Sequence, residues 1–116
     1  DDIIIVVMLE TPKAINNVEE IASVPGIDVL LVGTNDLCME MGIPGEFNHN
    51  DVKEAYKKVI QACNNNNILP GMGGVYDETL MHEYIDLGMK FILSGSDLSF
   101  LVKGAEDRLN NLKNKG

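Results

Sequence analysis

The feature that most constrains this chain is a pattern met four times in succession. A short apolar run ends in a turn bearing glycine or a carboxylate, and apolar residues at helical spacing follow. The first run, Ile3 to Leu9, is unbroken and rich in Ile and Val, the pattern of a strand buried on both faces. Thr11 then supplies an N-cap with Pro12 at the first helical position. Ala14, Ile15, Val18, Ile21 and Ala22 continue one helix, which Pro25-Gly26 stops. Ile27 to Val32 is a second strand ending at Gly33, and Thr34 to Asn50 reads as a long loop punctuated by Gly42, Pro44 and Gly45. From Asp51, the residues Val52, Ala55, Tyr56, Val59, Ile60 and Cys63 form one helical stripe. The Asn64 to Asn67 run ends it, because Asn tolerates the left-handed conformation. Ile68 to Gly74 reads as the third strand, and Asp77 to Leu87 as a helix with Leu80, Met81, Tyr84 and Ile85 inward. Lys90 to Leu93 is the fourth strand. Asp97 is the expected N-cap of a last amphipathic helix carrying Leu98, Leu101, Val102, Ala105, Leu109 and Leu112, after which the Lys/Asn tail should fray.

Strand–helix alternation with short turns means a parallel sheet. A complete (β/α)₈ barrel needs about 250 residues; this chain has 116 and half the strands. Residues 1–116 therefore read as a single α/β domain, either a (βα)₄ half of a TIM barrel or a small doubly wound sheet. Against the latter, no strand–helix junction carries a G-x-G-x-x-G or Walker-type loop. A hydrophobic content of 45% supports a packed core. The net charge of −9 argues against nucleic acid or an anionic membrane as partner. No apolar run approaches the roughly 20 residues of a membrane span, and no basic flank precedes Ile3, so no secretory signal is expected. Cys38 and Cys63 read as two reduced thiols of a cytoplasmic protein.

Chemistry in parallel α/β folds gathers at the carboxyl ends of strands. Those positions are Glu10, Gly33-Thr34-Asn35-Asp36, Gly71 to Gly74, and Gly95-Ser96-Asp97. Glu10 and Asp36 stand on neighbouring strand ends, a pairing suited to a hard cation such as Mg²⁺ or Mn²⁺. The alternative is that Glu10 favours the start of the next helix through its charge and Asp36 shapes a turn. The amides of Gly33 to Asp36 could cradle a small carboxylate, or form an ordinary tight turn. His49 and His82 have no Cys or His at ligand spacing, which argues against zinc. Cys38 has no basic neighbour to activate it as a nucleophile.

Five segments together are more specific than any of these. Met8-Leu9-Glu10-Thr11-Pro12 with Ala14, Val24-Pro25-Gly26-Ile27-Asp28, Gly33-Thr34-Asn35-Asp36-Leu37, Met41-Gly42-Ile43-Pro44-Gly45, and Leu87-Gly88 through Gly95-Ser96-Asp97-Leu98 resemble the HpcH/HpaI aldolase/citrate lyase family in order and spacing. These are metal-dependent 2-oxo acid aldolases with a (β/α)₈ barrel, and the resemblance covers strands five to eight only. It implies that Glu10 and Asp36 are metal ligands for Mg²⁺ or Mn²⁺, with Co²⁺ a further option. It also implies that Gly33, Thr34, Asn35 and Asp36 hold the carboxylate of pyruvate through backbone amides, while the metal stabilises the enolate as a Lewis acid. The chain departs from the family at Met8, where many members have Gln, and at Thr34, where Pro is usual. The family's enolate-stabilising Arg and its His-based acid/base group belong to the first half of the barrel. The one arginine here, Arg108, falls in the last helix, so no residue of this chain is assigned a certain catalytic role.

Two functions follow. The chain is either the metal- and pyruvate-binding half of an aldolase acting on 4-hydroxy-2-oxo acids and completed by another polypeptide, or a non-catalytic half-barrel that self-associates. Association is expected in both, because the first strand would be an edge with no inward charge, Pro or bulge between Ile3 and Leu9 to protect it. A homodimer that closes an eight-stranded barrel, or a complementary half-barrel chain, would cover it.

Overall fold

The computed structural model describes residues 2–114. It is a four-stranded parallel sheet in sequence order, β1 (Val6–Leu9), β2 (Val29–Gly33), β3 (Leu69–Gly73) and β4 (Phe91–Ile92). Between and after the strands come α1 (Pro12–Asn16), α2 (Val18–Ala22), α3 (Thr34–Glu40), α4 (Asn50–Asn66), α5 (Glu78–Leu87) and α6 (Asp97–Lys113). The register pairs Val6 with Val29, Val29 with Leu69 and Gly71 with Phe91, so the carboxyl ends of all four strands lie along one rim.

Side chains alternate across a strand, and the two faces of this sheet have different fates. Leu9, Leu30, Val32 and Met72 point into the core, where α4 contributes Val52, Ala55, Tyr56, Val59, Ile60 and Cys63. Each such side chain, fully buried, is worth about 1.5–3 kcal/mol. On the opposite face Val6, Met8, Leu69 and Leu93 are exposed. That face is low at β3: a Cβ on Gly71 would lie 2.9 Å from the Phe91 carbonyl oxygen and 3.1 Å from Leu31 Cδ1, and one on Gly73 would lie 3.1 Å from Leu93 Cδ1. The neighbouring side chains thus fold across the glycines.

Thr11 caps α1 through its hydroxyl, which accepts from the Ala14 amide, and Pro12 occupies the first turn as expected. α4 ends at Asn67 in the left-handed conformation (φ 56°), the exit expected of the Asn run. Several expectations are corrected. The first helix is two, broken at Asn17, whose φ and ψ of −100° and 14° leave the α region. Thr34 to Asn50 is not all loop: α3 occupies Thr34–Glu40 and buries Leu37 and Cys38. The β1 register begins at Val6, preceded by bonds from the Asp28 and Val29 amides to the Ile5 carbonyl, while Ile3 and Ile4 are 72% and 64% exposed, so the first run is not buried on both faces. Ile85 faces solvent, because α5 buries only Leu80 and Tyr84. The last helix is capped by Ser96, in a reciprocal pair with Ser99, and not by Asp97. No residue of α6 is buried; Leu98, Leu101 and Leu112 project from the body. Of the tail expected to fray, residues 115–116 lie outside the described residues.

Candidate metal and carboxylate site

The rim of strand ends brings Glu10 and Gly33 into contact. Leu9 pairs with Val32, so Glu10 follows β1 where Gly33 ends β2. A Cβ on Gly33 would stand 2.8 Å from Glu10 Cγ and 3.1 Å from Oε1, closer than a side chain tolerates. Glu10, half-buried, therefore lies across Gly33. The glycine is there for that close approach, since its φ of −79° is open to any residue.

Gly33 is also the N-cap of α3, with no side chain of its own to cap the helix. Thr34 opens α3 but turns its side chain into the core, where the hydroxyl lies 2.6 Å from Tyr56 Oη and 3.4 Å from the Val32 carbonyl. Only its backbone is left for a ligand. Asn35 and Asp36 follow in the first turn and are exposed. The loop after β3 closes on the same turn: Gly74, in the left-handed region at φ 86°, would carry a Cβ 3.4 Å from the Asn35 amide nitrogen. Three strand ends thus meet around Gly33 to Asn35.

The remaining candidates are structural. His49 Nδ1 accepts from the Asp51 amide at 3.0 Å and caps α4, while His82 sits exposed on α5. Cys38 and Cys63 are free and buried. Burial raises both thiols, helped by Glu46 near Cys38, and Cys63 is pushed up to about 11, which leaves neither poised as a nucleophile. At the fourth strand end the Phe100 ring covers Gly95. The groove there, of about 550 Å³, is lined by Tyr76, Ser94, Ser96 and Lys103 and includes neither Glu10 nor Asp36. A concave site needs walls on both sides, and the Glu10 end of the rim is an open edge.

Among the described residues no group of three or more His, Cys, Asp or Glu side chains is placed to hold a metal ion. The donors available at the rim are two carboxylates, Glu10 and Asp36. Such a set fits a hard cation that keeps most of its positions for water or an acid, and it does not fit zinc. Sequence reasoning missed Tyr56, which reads as one more residue of the α4 stripe. The available signal was that a buried phenol seeks a partner.

A parallel sheet in sequence order, with its core helices packed on one face and a carboxylate following each of its first two strands, has the plan of part of a (β/α) barrel. Residues 1–104 match the family model of the HpcH/HpaI aldolase/citrate lyases, and the chain belongs to that family. It is 38% identical over 105 residues to a 4-hydroxy-4-methyl-2-oxoglutarate aldolase of Chaetomium globosum, covering 89% of this chain and 39% of that protein. It is 33% identical over 106 residues to the 4-hydroxy-2-oxo-heptane-1,7-dioate aldolase of Klebsiella pneumoniae, covering 91% and 40%. The crystal structure of a family member from Burkholderia cenocepacia superposes with a TM-score of 0.86 at 28% identity, over 97% of this chain and 43% of the other. The chain thus spans about two fifths of the length of these relatives.

Proposed function

We propose that this single half-barrel domain is the metal- and pyruvate-binding half of a class II 2-oxo acid aldolase, a carbon–carbon lyase that reversibly cleaves 4-hydroxy-2-oxo acids. The observation that carries the reading is the Glu10 carboxylate lying across Gly33, beside a turn whose one buried hydroxyl is directed away from it. Glu10 and Asp36 would hold Mg²⁺ or Mn²⁺, or Co²⁺, and the backbone of Gly33, Thr34, Asn35 and Asp36 would receive the carboxylate of a 2-oxo acid such as pyruvate. When bound, the cation supplies Lewis-acid stabilisation of negative charge developing on the keto oxygen. The chain's own residues fix the carboxylates and orient the acid.

The arginine and the acid/base group of such an enzyme are to be supplied by a complementary half-barrel chain. Arg108 lies on α6, beyond the strand ends. The loss of one charge-assisted donor costs about 10²–10³ in rate and that of an acid/base group about 10²–10⁴. Alone, the chain should therefore exchange protons at the pyruvate methyl slowly at most. We place the protein in the cytoplasm; among the described residues no helix is long and apolar enough to cross a membrane. The exposed apolar face of the sheet favours a second reading, a homodimer that keeps the fold without turnover.

Calorimetry with Mn²⁺ plus pyruvate on the wild type and on Glu10→Gln tests the site, and equal binding by both sinks it. A lyase assay on several 4-hydroxy-2-oxo acids, with and without Mn²⁺, separates the two readings. Robust turnover by the homogeneous chain contradicts the need for a complementary half, and cleavage that appears only on adding such a half supports it.

A further inference from the structure

Thr34 is the buried polar residue of this core, and among the described residues its side-chain partner is another buried hydroxyl, Tyr56 Oη at 2.6 Å. Thr34 is also the first residue of α3, so what holds Thr34 sets where Asn35 and Asp36 emerge. The N-cap, Gly33, contributes no side-chain hydrogen bond, and α3 therefore has no conventional anchor at this end. Tyr56, by contrast, is fixed. It lies in the middle of α4, fully buried, with its ring centroid 4.2 Å from that of Tyr84, whose hydroxyl donates to the Phe47 carbonyl. The Thr34 hydroxyl has a carbonyl acceptor in Val32 at 3.4 Å, which leaves the Tyr56 phenol free to donate to Thr34. A buried pair of this kind has no water to replace either partner.

We propose that Tyr56 is a positioning residue: its hydroxyl, acting through Thr34, holds the first turn of α3, from which Asn35 and Asp36 emerge next to Gly33 and the Glu10 side chain that lies across it. The role in ligand binding rests on the function proposed above, whereas the fixing of the turn does not. Tyr56→Phe removes the hydroxyl and keeps the ring packing. Tyr84→Phe, on the neighbouring helix, removes a buried hydroxyl whose hydrogen bond goes to the Phe47 carbonyl and not to the first turn of α3, and serves as the control.

Two readouts separate the claims. The first is amide hydrogen exchange on the purified chain without ligand. Tyr56→Phe should speed exchange about fivefold at Leu37 and Cys38, the first α3 amides with intrahelical acceptors, the Gly33 and Thr34 carbonyls; that is the effect of one neutral hydrogen bond, and Tyr84→Phe should not produce it. Unchanged exchange there overturns the proposal whatever the chain binds. The second is the affinity for pyruvate in the presence of Mn²⁺. Tyr56→Phe should weaken it by a similar factor, while Tyr84→Phe with a matched fall in melting temperature leaves it unchanged. Faster exchange with unaltered affinity overturns the link to the site. A wild type that takes up no pyruvate with Mn²⁺ overturns the function, and with it that link. Proline at the first helical position fixes φ without a hydroxyl, so adding Thr34→Pro to Tyr56→Phe should restore the exchange readout, though not the affinity, because proline also removes the Thr34 amide donor. A folded double variant without that recovery would assign the loss to packing.

Discussion

Single atoms decide the site at the residue scale. Gly33→Ala places a methyl 2.8 Å from Glu10 Cγ, while the backbone there suits alanine. We expect the Glu10 side chain to swing off the turn. Mn²⁺-dependent pyruvate binding should fall at least tenfold with little change in melting temperature, a combination that calorimetry and a thermal melt read together. The buried thiols give a pH signature. Burial raises Cys63 from 9.0 to about 11, so the folded chain holds that proton more tightly than the unfolded one. Its contribution to stability is complete below pH 9 and is lost as pH rises towards 11. Urea midpoints should fall over that window, and Cys63→Ala, although less stable at pH 8, should show a shallower fall. That Glu10 directly follows β1 and Asp36 comes just after β2 was legible in the sequence, because the apolar runs mark where the strands end. That Thr34 turns inward was not, because its partner Tyr56 is distant in sequence and only packing brings the two hydroxyls together.

At the scale of elements, caps and periodicity carried most of the information. Thr11-Pro12 and the α4 stripe read correctly because each rests on local chemistry. α3 was missed because the glycines and proline after it dominate the segment, while its short apolar set of Leu37 and Cys38 spans barely one turn. Asp97 was taken as a cap because Asp commonly is one; Ser96, one residue earlier, has the extended backbone a cap requires. The two caps should differ in energetic consequence. Asp77 accepts from the Leu80 amide and starts a helix packed on the core through Leu80 and Tyr84. Asp77→Ala should cost about 1 kcal/mol of global stability. Ser96→Ala breaks a better-formed box on a helix that buries nothing. It should lower helicity by circular dichroism and leave the urea midpoint of the body unchanged.

The whole molecule is a sheet with one finished face. Ile4, Val6, Met8 and Leu69 lie exposed, and β1 and β4 are both open edges. Covering even about 1,000 Å² of apolar surface is worth on the order of 25 kcal/mol before association costs. Light scattering at micromolar concentration should therefore report an assembly, and a stable monomer would defeat the expectation. Val6→Asp should dissociate or precipitate it, whereas Lys57→Glu, at an exposed position of α4, should do neither. The edge at the first strand was expected from the strand pattern; how much of the first run pairs was not, because pairing depends on where β2 begins. The strand order has a consequence in time as well as in space. Each strand joins the one made just before it, so no pairing waits for a distant segment and loop-closure costs stay low. Each unit can thus close on its neighbour as soon as both exist. The unit of β4 and α6, a two-residue strand and a helix that buries nothing, should be the first to open under denaturant.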